Sequence, residues 1–190
     1  MARYLFRRQW GAKTETEMLE GALRSKRMGR DFDDVTWHHS HVVADGDGNV
    51  ISYCIYEAPS ADRVLDHAAL VGGHFVDKVV GLDDDLHADE PVAPLAAEDP
   101  NRRWVIVRRW PDLDRPRIDD VIRRGVRTAH GVTWEHTHIG TDDEGQFRTH
   151  GVYRAPDDAT IRRFAEQASS AEVTDLNEIA GDIRPEDLED

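Results

Sequence analysis

Residues 35–59 read VTWHHSHVVADGDGNVISYCIYEAP, and residues 132–156 read VTWEHTHIGTDDEGQFRTHGVYRAP. The two stretches align without a gap at an offset of 97 residues, and 10 of the 25 positions are identical, among them one tryptophan and two histidines. The likeness extends outward in both directions. YLFRRQW at 4–10 parallels WVIVRRW at 104–110, and SADRVLDHA at 60–68 parallels DDATIRRFA at 157–165. The chain therefore reads as two copies of a unit of about 80 residues, the size of a small domain rather than of a solenoid repeat.

One copy can be read for its elements. Residues 4–10 are short, aromatic and apolar, a strand. Thr14 with Glu17 three residues on makes a capping box for a helix through Met28. Residues 35–44 form a strand rich in β-branched residues, 45–48 (DGDG) a hairpin turn, and 50–56 the return strand. Ser60 caps a helix over 61–71, Gly72-Gly73 stops it, and 75–82 is a last strand. The second copy predicts elements at 104–110, 118–127, 132–140, 147–153, 159–168 and 173–179. The order is β-α-β-β-α-β, a ferredoxin-like α+β unit. Such a unit leaves one sheet face without helices. The expectation is two units packed as a fused pseudo-dimer of the dimeric α+β-barrel type, with two independent beads on a linker as the alternative. The expected divisions are 1–82, an acidic Pro/Ala linker at 83–102, 103–180, and a flexible acidic tail at 181–190.

The chain has 190 residues, of which 39% are hydrophobic, enough to build a core. Acids number 38 against 24 bases, for a formal net charge of −14. Such a chain repels phosphate, so nucleic acid and anionic membranes are not expected partners. Lys13, Lys26 and Lys78 are the only lysines. High acid with little lysine suits a high-salt cytoplasm, and an arginine-rich composition from a high-GC genome is the alternative. The single cysteine, Cys54, excludes an internal disulfide and multi-cysteine metal cages. No apolar run has the length of a membrane span or signal peptide, so a cytoplasmic location is expected.

Chemistry points to histidine. On a strand, alternate residues share a face. This puts Trp37, His39, His41 and Val43 together, and Trp134, His136 and His138 together in the second copy. Imidazoles two residues apart on a strand, roughly 6.5–7 Å, can converge on one ion. A hairpin centred on Gly46-Asp47 would set Trp37 opposite Tyr56, His39 opposite Cys54 and His41 opposite Ser52. Only the first copy holds a dense donor set: His39, His41, His67 and His74, with Cys54 as a further candidate. The second has Gly151, Phe164 and Ala171 in place of Cys54, His67 and His74. The alternative is a hydrogen-bonded histidine network that binds nothing, with Cys54 a small buried hydrophobe. His38 is expected at the surface, His87 solvated, and His130 and His150 without an evident partner. The Asp83-Asp84-Asp85 run reads as solvated charge. No GxSxG, P-loop or GxGxxG motif occurs.

Val35-Thr36-Trp37, His39-Ser40, Cys54 to Pro59 with Ser60, His67, Gly73-His74 and Asp77 resemble a small domain-of-unknown-function family that includes nickel-binding proteins. The resemblance implies a ferredoxin-like unit that dimerises, with nickel held chiefly by histidines. The positions matching that implication are His39, His67 and His74. Phe164 and Ala171 depart from it in the second copy. The functional expectation is a non-enzymatic metal-binding protein, with nickel first and zinc or copper behind it. Its site would draw on His39, His41, His67 and His74, and its partner would be a divalent metal ion, with a homo-oligomer allowed. One alternative is a dimeric α+β-barrel enzyme or a small-ligand or haem binder, with His39, His41 or His74 as base or axial ligand. Another is a metal-free structural module.

Overall fold

Caps and turns named from the sequence punctuate the chain in its structure, a computed structural model that describes all residues except 89–91, 94, 97, 98, 112, 129, 130 and 190. Ten strand residues, β1 (Ala2–Gly11), lead to α1 (Glu15–Met28). The Thr14 hydroxyl accepts from the Glu17 N–H while the Glu17 carboxylate accepts from the Thr14 N–H, closing the capping box. The Thr14 N–H and the Thr14 hydroxyl, both donating to the Glu17 carboxylate, hold that carboxyl below its ordinary pKa. Next come β2 (Thr36–Ala44) and β3 (Val50–Ala58). Asp45 secures their turn by accepting from the N–H groups of Asp47 and Asn49, and Gly48 takes the left-handed φ of 81° the turn requires. Ser60 caps α2 (Ala61–Val71), and β4 (Phe75–His87) follows. The second copy repeats the order as β5 (Arg102–Trp110), α3 (Arg115–Thr128), β6 (Thr133–Asp142), β7 (Phe147–Ala155), α4 (Asp158–Gln167) and β8 (Glu172–Ile183). The fold is mixed α+β, with eight antiparallel strands and four helices among the described residues. No helix among those residues is long and apolar enough to cross a membrane.

The chain divides into two compact units, Met1–Leu82 with Ala180–Asp190, and Asp83–Ile179. In unit 1 the strand order is β4-β1-β3-β2, with β8 next to β2. In unit 2 it is β8-β5-β7-β6, with β4 next to β6. Two strand ends differ from expectation. β4 runs past Leu82 to His87, and β8 runs past Ile179 to Ile183, followed by a 3₁₀ turn at Pro185–Asp187. Residues 83–87 thus begin as strand rather than connector, and the start of the tail is ordered. The reason is long-range pairing. The Ala88 N–H donates to the Glu135 carbonyl, and Leu86 is buried in a cluster with Trp104, Ile106 and Trp134. A local pattern search does not see such partners.

Paired strand residues share a face, so the β2–β3 register sorts the side chains. Trp37 lies opposite Tyr56 as expected, but a bulge at His38 shifts the rest by one. His39 faces Ile55, Ser40 faces Cys54, and His41 faces Tyr53. The expected pairings of His39 with Cys54 and His41 with Ser52 are therefore corrected. Bulges add one residue to one strand and reverse the alternation beyond it. Trp37 consequently joins Ser40 and Cys54 on the helix side, while His39 and His41 join Ile55 and Tyr53 on the helix-free side. The helix side of unit 1 packs Phe6, Cys54 and Tyr56 against Val64 of α2, and Trp10 against Met18 of α1. β6 carries the same bulge between Trp134 and His136.

Candidate functional site

The bulge brings each His-x-His pair onto a helix-free face. In unit 1 the rings of His39 and His41 lie 5.0 Å apart, nearly edge-on at 63°. His41 is 3% exposed, and its Nδ1 lies 2.7 Å from the Asp182 carboxylate. A carboxylate accepts, so Nδ1 carries the proton and donates it. That assigns the lone pair to Nε2 and fixes the ring plane. In unit 2 His136 and His138 are again 5.0 Å apart, at 65°. His138, 4% exposed, donates from Nδ1 to Asp85 at 2.5 Å.

Neither aspartate stands out in the sequence, where Asp85 reads as part of a solvated charge run and Asp182 as part of a flexible tail. The repeat contains the signal: 85 and 182 are also 97 apart, the offset that relates the two histidine pairs. The rest of the acidic run is engaged too. Asp83 accepts from the Thr141 hydroxyl and Asp84 from Arg115. His150 and His87, expected to lack partners, belong to the same face of unit 2. His150 lies 5.9 Å from His138 and His87 lies 6.1 Å from His136, ring to ring. His130 lies outside the described residues. His38, the bulge residue, sits at the surface as expected, 3.5 Å from the Glu57 carboxylate.

The remaining expected ligands stand on the other side of the sheet. His67 on α2 is 1% exposed. It donates from Nε2 to the Ser25 carbonyl at 3.1 Å and packs edge-on to Phe32. Burial pushes its pKa down, with a further push from the charge of Arg8. His74 donates from Nδ1 to the Gly72 carbonyl at 2.9 Å and lies over Trp10, ring to ring 4.5 Å. Burial first, and then Arg8, lower its pKa to about 4. Cys54 is buried on this side, 3.3 Å from the Ser52 hydroxyl. The set His39, His41, His67 and His74 therefore does not meet at one point. It splits into two pairs separated by the sheet. Among the described residues no three His, Cys, Asp or Glu side chains cluster as a metal cage. The four-histidine set does not fit a single ion. The His39–His41 pair with Asp182 behind it does fit the chemistry of a two-imidazole site, because a carboxylate on the far ring nitrogen is how ligating histidines are held.

Residues 4–81 match the model of a family described as nickel responsive protein SCO4226-like. No curated protein matches the chain. Among solved structures, it is similar to a mutant chlorite dismutase from Candidatus Nitrospira defluvii, at 9% identity and a TM-score of 0.53, over 94% of this chain and 91% of that one. It is also similar to an anthrone oxidase-like protein, at 8% identity and a TM-score of 0.50, over 97% and 94%. At such identities the likeness is one of fold.

Proposed function

We propose, from the match of residues 4–81 to the nickel-responsive SCO4226-like family, that this chain is a non-enzymatic metal-binding protein that takes up nickel as its cargo. The ion is held by His39 and His41, oriented by Asp182. One observation carries this reading: the imidazole pair with a carboxylate on its second member occurs twice, with the same 5.0 Å ring spacing. Imidazole suits nickel, zinc and copper alike, and the family supplies the preference for nickel. Two imidazoles leave coordination positions for water or a partner's ligand, which suits delivery or sensing better than permanent storage. Because His136, His138 and Asp85 reproduce the arrangement, the reading assigns one ion to each unit. His67 and His74 serve the packing of unit 1.

Calorimetric nickel titration of the untagged protein tests the site. Two ions per chain are expected. His39→Ala and His41→Ala each remove one, Asp182→Asn weakens one by roughly 10–100-fold, and His74→Ala changes nothing. Affinity falls as the pH is lowered, because a protonated imidazole cannot ligate. If His39→Ala and His41→Ala bind nickel like the wild type, the site lies elsewhere.

A further inference from the structure

On the helix side of unit 1, Arg8 is 2% exposed. Its guanidinium donates to the Tyr56 hydroxyl at 2.8 Å and lies 5.2 Å from the centre of that ring, and its Nε makes no hydrogen bond. Among the described residues no carboxylate pairs with it. Arginine stays charged in proteins, and a buried charge without a counter-charge is strongly disfavoured. Tyr56 cannot supply that counter-charge, since burial pushes its pKa up to about 12 and keeps it neutral. Arg8 borders a cavity of about 20 Å³ whose walls include Ser25, Ser40, Ser52, Cys54 and Tyr56, and no carboxylate. That is room for a particle near the size of a water molecule.

The walls are rich in donors. The Ser40 hydroxyl accepts from the Trp37 indole N–H at 3.0 Å, and the Ser52 hydroxyl accepts from the Trp10 indole N–H at 2.8 Å. Indole nitrogen only donates, so Ser40 keeps its own proton to give onward, while the Ser52 and Ser25 hydroxyls also lie 3.3 Å from the Cys54 sulfur and the Tyr56 hydroxyl respectively. Buried cation, hydroxyl donors and a small, partly open cavity together describe a receptor for an anion.

We infer that the Arg8 cavity binds a small monoanion, of halide or formate size, held by the Arg8 guanidinium and the serine hydroxyls around it. This site is independent of the nickel reading, because it lies on the opposite face of the sheet from His39 and His41. Unit 2 lacks it. Arg108 is equally buried, but Tyr153 and Phe164 lie about its guanidinium, at 6.0 and 5.8 Å from the ring centres.

Two measurements on the full chain test the site. Crystals grown in sodium bromide should show an anomalous peak beside Arg8. Thermal melts at equal ionic strength should run higher in sodium chloride or sodium formate than in sodium gluconate, whose anion is too large for the cavity. Arg8→Met should abolish that difference, Ser25→Ala should reduce it, and Arg108→Met should leave it intact. A rise with formate alone assigns a carboxylate, and a rise with chloride as well assigns a general monoanion. Absence of a bromide peak in the wild type, with melts that do not distinguish the anions, overturns the inference. So does an anion dependence that survives in Arg8→Met.

Discussion

Where unit 1 places His67 5.7 Å from Tyr56, unit 2 places Phe164 5.1 Å from Tyr153, both measured ring to ring. Where unit 1 has Cys54, unit 2 has Gly151, and a Cβ there would come within 2.6 Å of the Tyr153 ring. The ring occupies the room that the missing side chain leaves. So the helix side of unit 1 has a small polar cavity, while at the corresponding place in unit 2 the Tyr153 and Phe164 rings lie together. The helix-free side behaves in the opposite way. There the two units share the imidazole pair, its spacing and its aspartate. The contrast holds for these groups and not for whole faces: Trp37 and Tyr56 recur on the helix side as Trp134 and Tyr153, while on the helix-free side Tyr53 of unit 1 gives way to His150 in unit 2.

The largest test of that contrast is Phe164→Ala. It removes a nearly buried ring and should cost about 3–5 kcal/mol in urea unfolding. The equivalent His67→Ala removes a smaller, hydrogen-bonded ring and should cost about 1–3 kcal/mol. Equal losses would mean that the two helix layers are energetically alike. Gly151→Cys imposes the first unit's residue on the second and must displace Tyr153, which should destabilise by about 1–3 kcal/mol. Cys54→Gly, the reverse exchange, meets no such obstacle, and a larger loss there than for Gly151→Cys would break the comparison.

On the helix-free side the expectation is symmetry. Asp182→Asn and Asp85→Asn each weaken a part-buried hydrogen bond to a carboxylate, worth about 1–3 kcal/mol. The two losses should agree closely, and a clear difference would show that the matched geometry hides unequal environments. The smallest effect is the pH dependence of unit 1. His67 and His74 have folded-state pKa values below the ordinary 6.5, His74 at about 4. As pH falls from 6.5 the unfolded chain takes up protons first, so their contribution is full above 6.5 and is lost progressively toward pH 4. Melting temperature should fall over that window, and His74→Ala should flatten the fall. An identical slope in the variant would remove His74 from the account.

Much of the fold was legible because its signals are local. The Thr14–Glu17 box, the Ser60 cap and the Asp45 turn each act within four residues, and each is where the sequence places it. The candidate site was legible only in part. His39 and His41 stand out as a pair, yet simple alternation assigns them to the Trp37 face and joins them to His67 and His74. The bulge at His38 decides otherwise, and nothing in WHHSH announces a bulge, because it is set by pairing with β3.

By itself the sequence pointed to two copies of one unit, to strands and helices in the ferredoxin-like order, and to imidazole as its most concentrated chemistry. It also contained Asp85 and Asp182 at the common offset, though in segments whose local composition reads as loop. Only the tertiary structure decided which face each histidine takes, which histidines meet, and that Arg8 lies buried beside a cavity. These depend on register and on partners far apart in the chain. A shift of one residue in a strand changes no local propensity, yet it carries every side chain beyond it to the other face of the sheet.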